Sequence, residues 1–367
     1  MIARGAVVSG IGRVPRGPAP CGVGIAAQAA RGALADAGLT GGAVDGLVTC
    51  GLPDTVEVGD ALGLELSWRT VESDRLGVLA AVSAAVAAVA SGLATHVLCV
   101  EASDPPRPVP PEAGRFSGRP SVSGWAQWHA PYGAGTELVT TALAARSYVE
   151  AFGLTRVELA QIALTACRNG GRGIGLREYL DAPMLADPLC VHDRAAPAGG
   201  ATAVVISRGD IEGDLPAPAV TLEAVAAARS ASRLWEQRSE LTTMAIHSAG
   251  QRLWAGTELG PDDVDVALVE DEFSFLALIW LEALGFCAQG MAGAFVAGGQ
   301  RISRTGALPL NPHGGQLGLG RSAALELVAE AVAQLRGESS AQLEVPPEVA
   351  VVGVGGATVA GCLLLVR

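Results

Sequence analysis

The residues that could carry covalent chemistry come first. Seven cysteines are present: Cys21, Cys50, Cys99, Cys167, Cys190, Cys287 and Cys362. Their spacings are wide, no CxxC pair occurs and the count is odd, so the pattern implies neither a disulfide framework nor a cysteine-based zinc site. Cys99 and Cys362 fall in apolar, strand-like runs, where a thiol behaves as a small hydrophobe. No helix N-terminus rich in positive charge stands beside any of the seven, and such a setting is what makes a thiolate reactive. Every one of the 25 basic residues is arginine, so Schiff-base chemistry on lysine is excluded. The net charge of -12 argues against nucleic acid or an anionic membrane as the main partner.

These groups need a scaffold, and the chain supplies a large one. Half of the 367 residues are apolar while aromatics are scarce, so Ala, Gly, Val and Leu must build a closely packed core. Short strand signals recur at Ala6–Val8, Gly46–Val48, His96–Val100, Ala203–Ile206, Val266–Val269, Val349–Val352 and Leu363–Val366. Helical stretches separate many of them, including Ile25–Ala37, Thr141–Phe152 and Ser322–Arg336. The alternation predicts an α/β fold with largely parallel sheets. Val78–Ala90 is apolar apart from Ser83, too short to cross a bilayer and suited to a buried helix. Reduced cysteines and a start without a signal peptide predict a cytoplasmic protein.

The two halves repeat each other. Ala37-Gly38-Leu39 and Val44-Asp45 before one strand are echoed by Leu259-Gly260-Pro261 and Val264-Asp265 before another. Gly199-Gly200-Ala201-Thr202 is echoed by Gly355-Gly356-Ala357-Thr358. The second pair lies closer together than the first, so the first half carries an insertion, placed at Asp104–Leu189 where the regular pattern breaks. The expected organisation is residues 1–210, including the insertion at 104–189, followed by residues 211–367.

Several words resemble the thiolase superfamily of the sterol-carrier-protein, or lipid-transfer-protein, type. They are Pro131-Tyr132-Gly133, Ala144–Tyr148, Phe152–Thr155, Leu281–Cys287 and Asn311-Pro312-His313-Gly314-Gly315. The resemblance implies two duplicated βαβαβ halves in a five-layered α-β-α-β-α core, with a loop insertion in the first half. It also implies an acyl thioester substrate, on coenzyme A or a carrier protein, and no further cofactor. A homodimer is the family norm, with the apolar strand His96–Val100 compatible with it. A small OB-fold, zinc-ribbon protein is a further possible partner.

The resemblance also shows what is missing. The family's nucleophilic cysteine, at the start of the buried helix, falls on Arg75 or Asp74. Its GHP histidine becomes Arg321, its second cysteine becomes Val352 or a neighbour, and the histidine of its HDxF word becomes Glu270. Cysteine-free relatives, the steroid side-chain retro-aldolases, place tyrosines in the corresponding loops, yet no tyrosine follows Tyr179 here. Retro-aldol cleavage still needs only a base and enolate stabilisation. Glu270, Glu272 and His313 are the candidate bases, and Arg75 and Arg321 are positioned to join Glu270, Asp271 or Glu272 in a charge network. Gly314, Gly315, Gly355 and Gly356 are expected to frame the pocket. Asp74 or Ser73 also has a plain structural use as a helix N-cap. Two readings follow: a cysteine-independent carbon–carbon lyase or condensing enzyme, or a non-catalytic thiolase-like subunit that binds lipid or scaffolds a complex. An ordinary acyltransferase stands third.

Overall fold

The computed structural model describes residues 5–17, 22–51, 54–72, 78–103, 124, 126–134, 136–230 and 242–367. The first half contributes β1 (Ala6–Gly17), α1 (Val23–Asp36), β2 (Gly46–Gly51), α2 (Thr55–Leu62), β3 (Trp68–Glu72), α3 (Val78–Ala90) and β4 (His96–Ser103). The inserted region follows with α4 (Ala126–His129), α5 (Glu137–Phe152), α6 (Arg156–Asn169), α7 (Leu176–Asp181), β5 (Met184–Ala186) and β6 (Leu189–Cys190), and β7 (Gly199–Arg208) comes next. The second half contributes β8 (Val220–Arg229), α8 (Ala245–Trp254), β9 (Val266–Val269), α9 (Ser274–Ala283), α10 (Ala292–Val296), α11 (Gly315–Leu319), α12 (Leu325–Arg336), β10 (Val349–Gly355) and β11 (Val359–Val366).

The strand order is β3-β2-β4-β7-β1-β8-β11-β10-β9. The two wings mirror each other. β2 runs parallel to β4, which pairs antiparallel with β7, which pairs antiparallel with β1. Likewise β9 runs parallel to β10, which pairs antiparallel with β11, which pairs antiparallel with β8. The wings meet through a short antiparallel contact, Val7 opposite Thr221 and Val8 opposite Val220. The repeated words therefore reflect a repeated topology, to which the first wing adds β3.

Alternating side chains sort the molecule into five layers. Leu47, Leu98 and Val100 turn outward onto α1 and α2, whereas Val48, Val97 and Cys99 turn inward onto α3 and α12. Val266 and Leu268 meet that same central pair of helices from the other wing, and Ala267 and Val269 face α8 and α9. Helices α5 and α6 pack over this last layer. Small residues make the close approach possible: a Cβ on Gly12 would stand 2.1 Å from the carbonyl oxygen of Ala29 in α1.

Two strands escape the sequence pattern. β8 is alanine-rich, with its β-branched residues Val220, Thr221 and Val225 confined to its first six positions, yet its burial alternates along its length. β3 carries Trp68, Arg69 and Glu72 and forms the outer edge of the first wing. The strand expected to support dimerisation needs correcting. His96–Ser103 is hydrogen-bonded on both sides, to β2 and to β7, and has no free edge to offer a second copy. Among the described residues no helix is long and apolar enough to cross a membrane.

Candidate active site

Three segments bring acids toward one arginine on a fourth. Glu270 and Glu272 follow β9, Arg321 follows α11, Glu101 lies near the end of β4 and Glu137 opens α5. Glu272 is buried and its carboxylate meets the Arg321 Nε at 3.2 Å, while the Arg321 side chain stays 45% exposed. Glu270 accepts from the Gly355 N–H at 2.6 Å, and its own N–H bonds the Gly353 carbonyl at 2.8 Å. Of the expected charge network, the structure brings together Arg321 and Glu272. Arg75 and Asp74, its other candidate members, lie outside the described residues, as does Ser73.

Burial dominates the electrostatics. It pushes the Glu272 carboxyl up to about 7, against the pull of Arg321 and with a further push from Glu270 and Glu137. Burial likewise pushes Glu101 up to about 7 and raises Glu270. A carboxyl poised near neutral pH is suited to general acid–base work.

Asp271 has a different task. It is buried and accepts from the Gln316 N–H at 2.7 Å, so it fixes the start of α11 rather than joining the arginine. This explains Gly315, where a Cβ would stand 2.3 Å from an Asp271 carboxylate oxygen. A Cβ on Gly314 would meet the Gly170 backbone at 2.7 Å, and Gly355 commits its N–H to Glu270. These three glycines serve chain-to-chain approach, whereas Gly356 has only the side chain of Leu276 nearby. His313 is buried in the loop before α11. That loop is pinned to β9 by Asn311, whose amide accepts from the Val269 N–H at 2.9 Å and donates to the Val269 carbonyl at 2.8 Å.

A segment the sequence reading missed laces the site together. Ala195 donates its N–H to the Glu272 carbonyl at 2.8 Å. Arg321 donates its main-chain N–H to Ala196 and accepts from the Ala198 N–H, both at 2.7 Å. Asp193 anchors the start of this strap by accepting from the Tyr179 hydroxyl at 2.7 Å, the Cys190 N–H at 2.8 Å and the Ser274 hydroxyl at 2.5 Å. A buried carboxylate just before a glycine- and alanine-rich strand was the available signal. Glu101 was also missed; an acid at the carboxyl end of a parallel strand was its signal.

Beside the acids lies a cleft of about 380 Å³, lined by Arg13, Pro15, Thr202, Leu319, Ser322 and Glu326. Thr202 sits opposite both Glu101 and Arg13 in the strand register, and Ser322 follows Arg321, so the cleft adjoins the cluster. The described thiols are poorly set for nucleophilic work. Burial pushes Cys99 and Cys287 up to about 12 and raises Cys362, while Val352 lies buried between the sheets. Cys21 is outside the described residues.

A thiolase-fold core with an acid–arginine site in place of reactive thiols defines the class. The chain belongs to the thiolase superfamily, in its sterol-carrier-protein-type branch that includes the steroid side-chain-cleaving aldolases. Residues 227–366 match the thiolase C-terminal domain-like family. A steroid side-chain-cleaving aldolase of Thermomonospora curvata is 31% identical over 336 residues, covering 86% of this chain and 85% of its own. A 17-hydroxy-3-oxo-4-pregnene-20-carboxyl-CoA lyase of Mycobacterium tuberculosis is 30% identical over 337 residues, covering 86% of each chain. The solved structure of an Ltp2-ChsH2(DUF35) aldolase superposes with a TM-score of 0.88 at 29% identity, covering 100% of this chain and 98% of its own.

Proposed function

We propose that this protein cleaves a carbon–carbon bond in a β-hydroxyacyl thioester by retro-aldol chemistry, with the thioester on coenzyme A or a carrier protein. The observation that carries this reading is the buried Glu272 held 3.2 Å from Arg321. Retro-aldol cleavage of a β-hydroxyacyl thioester needs a base and enolate stabilisation but no covalent nucleophile. Glu272 accepts the proton of the β-hydroxyl, the Cα–Cβ bond breaks to leave a ketone or aldehyde, and the electrons pass to the thioester as an enolate. The exposed part of the Arg321 guanidinium offers donors to that enolate. Glu270, fixed by the Gly355 N–H, keeps the pocket acidic beside the base. His313, buried on the adjoining loop, is a second candidate base. The reaction as written calls for no bound cofactor.

The named relatives make a 17-hydroxy steroid side-chain thioester the first substrate to test. The Ltp2-ChsH2(DUF35) aldolase makes a DUF35 protein the first partner to add, and the family resemblance implies a small OB-fold, zinc-ribbon protein. A second copy of the chain, if it pairs by strands, would use the open β3 edge. The assay follows ketone release and the shortened acyl-CoA chromatographically, with and without the partner. Cleavage that drops about 10²-fold or more in Glu272→Gln supports the reading. The Glu272–Arg321 ion pair also fits a closed, non-catalytic site in a lipid-binding or scaffold subunit. Acyl-CoA binding without any cleavage, unchanged by Glu272→Gln, would establish that alternative.

A further inference from the structure

Retro-aldol cleavage requires two proton movements at two different atoms. One proton leaves the hydroxyl oxygen, and another must reach the α-carbon before the product is a saturated acyl thioester. The roles assigned so far account for the first movement.

Glu101 sits where the second is needed. Near the end of β4, it shares a register row with Cys50 and Thr202, so all three side chains leave the sheet on one face. Cys50 packs among the central helices, which identifies that face as the inner one. There the Glu101 carboxylate accepts from the Leu325 N–H at 2.7 Å, at the N-terminus of α12. Its electrostatic neighbours are Glu270 and Arg321. The carboxyl thus comes from a first-wing strand and faces groups carried by the second wing. Glu272 is ion-paired to Arg321, whereas no ion pair among the described residues neutralises Glu101. With Glu101, Glu137, Glu270 and Glu272 gathered around one guanidinium, full ionisation is disfavoured, and a carboxyl without an ion pair is the natural holder of a proton.

We propose that Glu101 is the acid that delivers a proton to the α-carbon of the thioester enolate, while Glu272 removes the hydroxyl proton. The assignment rests on the retro-aldol reading. After one turnover Glu272 carries the hydroxyl proton and Glu101 is ionised. A proton returned from Glu272 to Glu101, through the acid cluster or through solvent, restores both groups, and no oxidant or reductant is involved.

The test uses the reverse of the second movement, which needs no cleavable substrate. Propionyl-CoA is incubated with the full-length protein, with and without its partner, in D₂O, and α-hydrogen exchange is followed by NMR. Wild-type protein is expected to exchange the α-hydrogens. Glu101→Gln is expected to lose exchange about 10²-fold or more, while its amide oxygen still accepts from Leu325 and preserves thermal stability. Glu101→Asp is expected to recover part of the rate. Wild-type exchange in Glu101→Gln, or no exchange by the wild type even where it cleaves a β-hydroxyacyl thioester, overturns the assignment. Glu101-dependent exchange without cleavage of any β-hydroxyacyl thioester would remove the retro-aldol reading and leave Glu101 as the proton donor of a different enolate reaction.

Discussion

Helices α3 and α12 occupy the same central layer, between the same two wings, and could hardly differ more in content. α3 is apolar except for Ser83, whose hydroxyl bonds back to Leu79 in its own helix at 2.6 Å. α12 carries Glu330, Gln334 and Arg336 into the interior. Glu330 meets Arg13 at 3.1 Å, and Gln334 donates to Ala341 at 2.9 Å. Arg336 donates to Asp36 at 2.7 Å, to the Ser9 carbonyl at 3.0 Å and to the Pro218 carbonyl at 2.7 Å. Its three partners lie on α1, on β1 and just before β8, so it spans the seam between the wings. Helices that share one layer have thus divided their work: one fills volume, while the other ties the wings together and presents its N-terminus to the acid cluster.

The sharpest way to break this contrast is Arg336→Met. Removing one partner from a buried polar network is expected to cost about 3–5 kcal/mol, measured by chemical denaturation; a loss below about 1 kcal/mol would show that α12 is as passive as α3. Next comes Arg321→Ala, just ahead of α12. It should lower kcat by about 10²-fold with little change in unfolding midpoint, because the strap holds that residue through its main chain. A fall in stability with unchanged kcat would make Arg321 a packing residue.

Proton linkage gives a smaller effect. Glu101, Asp271 and Glu272 are pushed from ordinary carboxylate values up to about 7 in the folded protein. Between the unfolded and folded values the native state binds more protons, so stability should fall as pH rises from about 4.5 to about 7. The slope should lessen in Glu101→Gln. A thermal midpoint that climbs over that range would contradict the protonated cluster. Ser83→Ala should change least, within about 0.5 kcal/mol; a loss above 1 kcal/mol would give α3 a polar task after all.

The sequence disclosed these features unevenly. Val266–Val269 and Val349–Val352 are compact apolar runs bounded by turns, and both are strands. Ala224, Ala226 and Ala228 alternate onto the side of β8 that faces α8, but alanine carries no strand preference, so the second wing's first strand stayed hidden. At the site, Glu272 and Arg321 were found because they stand in loops whose neighbouring words survive. Glu101 was passed over because Glu-Ala-Ser after an apolar strand belongs to no word, and its meaning arises only when α12 is folded against it. The packing of Gly315 was hidden for a related reason: a glycine that admits Asp271 and a glycine that admits a ligand look identical in one dimension.

The strap from Arg194 to Ala198 has a consequence for how this family changes over time. It grips the residue after Asp271 and the residue after Gly320 by peptide groups alone, whatever side chains those positions carry. Position and reactivity are therefore inherited separately. A lineage could exchange thiol, imidazole, phenol, carboxyl or guanidinium at those two places without losing their registration, and novelty in chemistry would need no novelty in architecture.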